Sequence, residues 1–298
     1  MIGMKVIIFG ASGQDGYYLS QLLAKDGIDF ISVSRSQGIT ENWVKCDVRD
    51  SLKTSELISA YCPNYIFHLA ANSSTIHDHL IENYLTISGG SVAILEAAYK
   101  LNNDCRVFIA GSGLQFENEN IPISETANFR CNTAYSMARI QSVYAARYFR
   151  SIGLKAYVGY LFHHESSLRK PYYVSQKIVQ AAKAIGAGEE RIIDLGNIDI
   201  QKEWLFAKDV SEAILTLVNQ DVVYEAAIGS GLAYSIRDWL DLCFRLIGKD
   251  WNPFVKFDPS LSSDYSRLVS DPKTIMSLSW RPKISFDMLA EIMMLGKI

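Results

Sequence analysis

Tyr135 and Arg139 stand four residues apart in the run Tyr135-Ser136-Met137-Ala138-Arg139, and Ser112 follows an apolar segment upstream of them. Residues i and i+4 share one face of a helix, so a cation at 139 can approach the phenol at 135. A phenol of ordinary pKa, about 10, is a poor proton carrier near neutrality, and a nearby positive charge favours its ionised form. With a serine hydroxyl on the same oxygen, the three groups suit proton transfer at a carbinol during hydride transfer. Taken alone, a tyrosine and a cation four apart are better read as a packed tyrosine beside a surface arginine. The catalytic reading therefore depends on what else the chain carries.

It carries a dinucleotide signal. Directly after Lys5–Phe9 comes Gly10-Ala11-Ser12-Gly13-Gln14-Asp15-Gly16, a G-x-x-G-x-x-G spacing between a continuous apolar run and an amphipathic one. Glycine is needed there for a tight turn, for close approach of backbone to a pyrophosphate and for helix–strand packing, and the next helix aims its amino end at the phosphates. Cofactor choice is read at the end of the second strand, where a carboxylate would accept from the ribose hydroxyl of NAD. Ser34-Arg35-Ser36 offers none. A guanidinium and two hydroxyls suit a 2′-phosphate, so NADP is favoured over NAD, although an arginine on a solvated loop is the plain alternative. Asp47-Val48 is expected near the adenine, and Leu69-Ala70-Ala71 leaves room for the backbone beside the cofactor.

These residues need a scaffold. Strands are predicted at Lys5–Phe9, Asp29–Ser34, Trp43–Cys46, Tyr65–Leu69, Arg106–Ala110 and Lys155–Phe162, with helices at Tyr17–Asp26, Ser51–Tyr61, Ile81–Leu101 and Tyr135–Ser151. Gly89–Gly90 inside the third helix marks close packing or a kink. This alternation fits right-handed βαβ crossovers and predicts an α/β fold with a doubly wound parallel sheet. Beyond residue 162 it loosens: helices are predicted at Tyr172–Ala187, Ala207–Asn219 and Ser235–Ile247, with a strand at Arg191–Leu195. A dinucleotide-binding domain over 1–165 is therefore expected, followed by a smaller C-terminal substrate-binding lobe over 166–298, with some of its segments returning to the sheet.

Of the 298 residues, 49% are hydrophobic and 20% charged, and the net charge is −3. This is globular composition without the basic footprint of a nucleic-acid binder. Five dispersed cysteines without a C-x-x-C pair argue for reduced thiols in the cytoplasm, and no apolar stretch is long enough for a bilayer. His163 and His164 are adjacent, so on a strand they point to opposite faces; no metal site is expected. Ser73 and Ser74 either line a sugar site or cap the next segment.

The glycine turn, Ser112 and Tyr135 with its cation resemble the extended short-chain dehydrogenase/reductases. More narrowly, Gly10–Leu19 (GASGQDGYYL), Leu161–Ser166 (LFHHES), Leu195–Asp209 (LGNIDIQKEWLFAKD), Ser270-Asp271-Pro272 and Ser279-Trp280-Arg281-Pro282 are similar to the GDP-mannose 4,6-dehydratases and GDP-4-keto-6-deoxymannose reductases. The resemblance implies an enzyme acting on a nucleotide diphosphate sugar, GDP-linked by preference. It implies Ser112, Tyr135 and Arg139 as catalytic residues, and cofactor contacts through Leu161, His163 and His164. Substrate contacts would come from Ser112, His163, Glu165, Lys177, Lys202 and Arg267. A homodimer through helices Ile81–Leu101 and Tyr135–Ser151 is also implied. The departures bear on the reaction. The family has lysine where Arg139 stands, and arginine where Gln176 and Lys202 stand. The dehydratases carry a glutamate at the position of Leu114, followed here by Gln115; Glu117 would need a shifted loop to take its place. Without that carboxylate, 4-keto reduction is expected ahead of dehydration or epimerisation. A protein that binds cofactor or sugar nucleotide without turnover is the alternative from another class. The short loop Gln37-Gly38-Ile39-Thr40 speaks against a tetramer built through it.

Overall fold

The computed structural model describes residues 3–36, 42–72, 77–101, 104–261, 263 and 265–296. Its first half runs β1 (Lys5–Phe9), α1 (Gln14–Lys25), β2 (Asp29–Ser34), β3 (Trp43–Lys45), α2 (Ser51–Tyr61), β4 (Tyr65–His68), α3 (Leu80–Asn83), α4 (Gly90–Lys100), β5 (Arg106–Ser112), α5 (Ala134–Ser151) and β6 (Lys155–Leu161). The second half continues with β7 (His164–Glu165), α6 (Val174–Gly186), β8 (Ile193–Leu195), β9 (Gln201–Lys202), β10 (Leu205–Phe206), α7 (Ala207–Val218), β11 (Glu225–Ile228), β12 (Tyr234–Ser235), α8 (Ile236–Arg245), β13 (Val255–Phe257), β14 (Arg267–Leu268), α9 (Lys273–Ser277) and α10 (Phe286–Leu295).

Seven strands pair in the order β11-β6-β5-β4-β1-β2-β3, every pair parallel. Parallel strands covered on both faces are apolar throughout, and successive side chains serve opposite layers. Thus Ile7, Phe9, Ile66 and Ile109 meet Ile58 of α2, Ile94 of α4 and Val143 of α5 on one face. Val6, Ile8, Phe67 and Phe108 meet Leu19 and Leu23 of α1 and Ile214 and Leu217 of α7 on the other. The chain reverses direction across the sheet between β1 and β4. Doubly wound sheets bind ligands at the carboxyl ends of the strands at such a point.

Several element bounds differ from those expected. Helix α1 begins at Gln14, at once after the glycine turn, and β5 runs on to Ser112. The stretch expected as one helix over Ile81–Leu101 is α3, a π-helical segment Tyr84–Gly89 and then α4. Gly90 explains the tight packing here: a Cβ on it would lie 2.8 Å from Val48 Cγ2 and 3.2 Å from His68 Nε2. Helix α6 begins at Val174, two residues beyond the expected start.

The second half builds a lobe around Ile178, Val179, Trp204, Trp239, Phe244, Phe286 and Leu289. The Trp204 and Trp239 rings stack at 4.7 Å. Tyr18 of α1 joins this cluster, which fastens the lobe to the glycine-turn helix. Strand β9 lies between β12 and β14, and β7 pairs with β10, so short ladders carry the lobe across the carboxyl edge of the sheet. Helix α7 and β11 return to the main sheet. No described helix is long and apolar enough to cross a membrane.

Candidate active site

The glycine turn separates what the fold requires from what it leaves open. Gly10 has φ +87°, and a Cβ on it would lie 2.5 Å from the Ala70 nitrogen, so the Leu69-Ala70-Ala71 segment abuts the turn. A Cβ on Gly16 would lie 2.5 Å from Ala11 Cα. Gly13 is different: its Cβ would meet only the Gly10 oxygen, at 3.4 Å. Gly13 caps α1 without any side-chain hydrogen bond to the first turn. An uncapped helix end with an unfilled cradle before it fits a pyrophosphate.

Around this turn the side chains are tied together. Asp15 Oδ1 lies 2.8 Å from His164 Nε2, while His164 Nδ1 lies 2.7 Å from the Phe162 oxygen. Both ring nitrogens face acceptors, which describes an imidazolium. Burial opposes both charges, yet their mutual attraction outweighs it: the Asp15 carboxyl is lowered and His164 raised. Gln14 joins the same junction, its side chain bonding the His164 oxygen at 3.3 Å and accepting from Ser166 at 3.0 Å. Leu161 ends β6 beside this junction, and Ser12 sits exposed within the turn.

At the end of β2 the Ser34 hydroxyl donates to the Ser36 oxygen at 2.6 Å and accepts from Trp43 Nε1 at 2.8 Å. Arg35 Nη1 bonds Glu82 at 2.9 Å. The Asp47 carboxylate is held by the Arg49 side chain and backbone, with the hydrogen bond from Arg49 keeping its carboxyl below the usual range. Asp47 and Arg35 thus already hold partners within the chain. Val48 is buried against Gly90. Ser73, Ser74 and the loop Gln37-Gly38-Ile39-Thr40 lie outside the described residues.

The chemical end is compact. Ser112 closes β5 and caps a short 3-10 turn, Gly113–Gln115, with its Oγ accepting from Leu114 N at 3.2 Å. Thr133 caps α5 and so sets the first turn, where Tyr135 stands. Arg139 Nε donates to the Tyr135 hydroxyl at 3.1 Å, and Nη1 donates to the Ala110 oxygen on β5. Ser112, Tyr135 and Arg139 are all buried. Leu114, Ile87 and Ala138 pack with Tyr135 and form an apolar wall. Glu117 is exposed, its backbone paired with Asn128.

In the lobe, His163 Nε2 lies 3.0 Å from Lys202 Nζ and 3.0 Å from Glu165, and Arg169 lies 3.3 Å from the other oxygen of Glu165. Burial pushes His163 down to about 4 and Lys202 down to about 8. Nδ1 faces the Glu203 oxygen at 3.0 Å, so the ring stands between two acceptors, that carbonyl and the Glu165 carboxylate, with Lys202 beside Nε2. Burial would raise Glu165, but Arg169, with His163 and Lys202 beside it, holds its carboxyl down to about 2. Arg267 lies on β14 next to β9, its guanidinium 3.4 Å from the Asn120 oxygen. Lys177 stands apart from this cluster, on α6, with its ammonium on the Asp194 oxygen.

Arg169, Glu82 and Glu203 escaped the sequence reading. Glu203 is wholly buried and accepts from the backbone of Ser230, Gly231 and Ser270, which pins two loops. For Arg169 a signal existed, since it stands four residues after Glu165. For Glu82 only the three-residue spacing from His79 is local; its bonds to Arg35 and Asn72, like those of Glu203, come from residues remote in the chain. Among the described residues no group of three or more metal-ligating side chains gathers.

Comparison with known proteins places this geometry. The family model for GDP-mannose 4,6 dehydratase matches residues 7–293. The chain is 26% identical to GDP-mannose 4,6 dehydratase 1 of Arabidopsis thaliana over 96% of its length and 88% of that protein. With the human GDP-mannose 4,6 dehydratase the identity is 27%, over 96% and 89%. Among solved structures, the Thermus thermophilus UDP-glucose 4-epimerase complexed with NAD superposes with a TM-score of 0.84 at 20% identity, covering 99% of this chain and 100% of that one. The dTDP-glucose 4,6-dehydratase of Bacillus anthracis, also complexed with NAD, gives 0.85 at 17%, covering 98% and 96%. The sheet order, the glycine turn and the match along nearly the whole sequence agree: the chain belongs to the GDP-mannose 4,6-dehydratase family of extended short-chain dehydrogenases/reductases.

Proposed function

We propose that the protein is an NADP-dependent enzyme that transfers hydride at C4 of a nucleotide diphosphate hexose, working as a 4-keto reductase. The observation that carries this reading is the surroundings of the Tyr135 hydroxyl: a guanidinium at 3.1 Å, and the apolar Leu114, Ile87 and Ala138 packed with the ring. The cofactor, when bound, supplies hydride to the carbonyl carbon. Tyr135 gives its proton to the developing alkoxide. Arg139 steadies the charge then left on the phenol oxygen, and its guanidinium stays protonated throughout. Ser112 accepts from Leu114 N, which leaves its own hydroxyl proton for the substrate oxygen. Removing water across C5 and C6 would need a further acid or base, and a leucine side chain supplies neither.

Dehydration is the second reading, favoured by the names of the relatives and of the family model. Incubation with NADPH and GDP-4-keto-6-deoxymannose, beside GDP-mannose with NADP, separates the two. Consumption of NADPH by the keto sugar is the expected result. Release of a 4-keto-6-deoxy product from GDP-mannose, with NADPH untouched by the keto sugar, would replace reductase by dehydratase. Binding without turnover of either would leave a non-catalytic protein.

The GDP preference rests on the relatives' names, and the lobe's Arg169, Lys202 and Arg267 supply cations for a diphosphate. Substrate positioning falls to His163 and Glu165 by the same reading. A homodimer is supported by exposed Tyr84, Leu85, Val92 and Tyr99 around α4 and Tyr144 and Tyr148 on α5, an apolar strip suited to a two-fold interface. The cytoplasm is the proposed compartment, on the dispersed cysteines.

A further inference from the structure

We infer that Glu82 is a cofactor-selectivity residue: carried in by α3, its carboxylate engages Arg35 at the adenosine end of the cleft and opposes a ribose 2′-phosphate. The inference rests on the glycine-turn cleft being a dinucleotide site.

The position follows from the fold. Gly10 N and Ala11 N both donate to the Val33 oxygen, at 2.9 and 3.3 Å, so the end of β2 is stitched to the glycine turn. Arg35 stands two residues further on. In this fold class the residue there meets the adenosine ribose, and a carboxylate at that point selects NAD. Ser34-Arg35-Ser36 lacks one in sequence, yet the structure supplies it from 47 residues away. Glu82 Oε1 accepts from Arg35 Nη1 at 2.9 Å, and Oε2 accepts from Asn72 Nδ2 at 2.9 Å. Asn72 directly follows the Leu69-Ala70-Ala71 segment that abuts Gly10, so one oxygen is anchored to the strand end beside the turn and the other faces the guanidinium. His79 lies 3.6 Å from the same carboxylate.

The charges decide the consequence. With Asp47 held by Arg49 close by, the two acids and two arginines sum to zero. A nicotinamide dinucleotide with a free 2′-hydroxyl enters without disturbing this balance. A 2′-phosphate brings up to two further negative charges, which must share Arg35 with Glu82. Arg35 is 57% exposed, so its ion pair is weakly held and the guanidinium is free to turn; the opposition comes mainly from the carboxylate that Asn72 keeps in place. Arg35 therefore accommodates NADP, Glu82 restrains that preference, and the wild-type protein separates the two cofactors only weakly.

The test is titration calorimetry of adenosine 2′,5′-bisphosphate and adenosine 5′-monophosphate, the cofactor's adenosine end with and without the phosphate in question. Wild type is compared with Glu82→Gln, and a thermal melt on the same samples verifies folding. The variant should bind the bisphosphate about fivefold more tightly, the size of one charge–charge contact near 4 Å in water. The monophosphate should stay within about twofold. Raising the salt concentration should shrink the gain. A ratio between the two ligands unchanged by the substitution, or a gain shared equally by both, would overturn the role of Glu82 while leaving the cleft a nucleotide site. Failure of both ligands, and of NADP and NAD, to bind either protein would overturn the dinucleotide reading together with it.

Discussion

The two halves of the site solve opposite problems. The glycine turn presents backbone: Gly10 and Gly16 are dictated by contacts with Ala70 and Ala11, and Gly13 by neither. The lobe presents side chains: His163, Arg169 and Lys202 converge on Glu165, whose carboxylate and Lys202 are buried while His163 and Arg169 are part-buried. A backbone cradle costs little to keep empty, because helix-end N–H groups are dipoles. A buried cluster with two fixed cations and one carboxylate is held only by mutual pairing. A change at Gly13 should therefore alter function without loss of fold, and a change at Glu165 in the lobe should not.

The largest expected effect tests the chemistry at the boundary between them. Tyr135→Phe should lower kcat by about two to four orders of magnitude, the usual worth of a positioned proton donor, while calorimetric binding of NADP changes little. Turnover that survives this change would remove Tyr135 from the reaction.

Breaking the lobe comes next. Glu165→Ala leaves the buried Lys202 and the part-buried Arg169 without their carboxylate and should cost about 3 kcal/mol in denaturant unfolding. The same logic gives a pH dependence. Glu165 and Glu225, the latter gripped by Arg147 and Arg150, both have folded values lowered from about 4.5 to about 2. The unfolded chain binds more protons in that window, so stability due to these groups is complete above about pH 4.5 and is lost as pH falls towards 2. Lys202, lowered from 10.5 to about 8, gives the same direction in a different window: its burial opposes folding in full below about pH 8, and that cost is relieved as pH rises from there towards 10.5. A series of melts should show acid lability that Glu225→Gln reduces in slope. A flat profile between pH 5 and 3, a range set by the same linkage, would mean that these pairs contribute nothing.

The smallest change in fold should come from Gly13, and its neighbour Gly10 shows why. Gly10→Ala forces a left-handed φ on alanine and a contact with Ala70, and should destabilise by more than about 2 kcal/mol. Gly13→Ala should leave the melting temperature nearly unchanged and still weaken NADP binding. If both glycines behave alike, the cradle before α1 is not a phosphate site.

Much of this was legible in the residues. The apolar run Val6–Phe9, the glycine spacing and the alternation of helix and strand identify a doubly wound sheet, because its strands are buried on both faces and carry a continuous signal. The four-residue spacing of Tyr135 and Arg139 likewise places them on one helix face. The broken helix around Tyr84–Gly89 was only hinted at by Gly89–Gly90, since the contacts there, Val48 and His68 on Gly90 and His68 on the Ile87 oxygen, come from segments remote in the chain.

What sequence alone determined, then, are features governed by short-range periodicity and backbone geometry: the sheet, the turn and the pairing of Tyr135 with Arg139. Only the tertiary structure decided that Glu82 reaches Arg35, that Arg139 also binds the Ala110 oxygen, that Leu114 walls the phenol, and that Lys202 joins His163 while Lys177 does not. Coulomb and hydrogen-bond contacts act over a few ångströms in space whatever the separation along the chain, so those partners exist only once the strands have brought distant segments together.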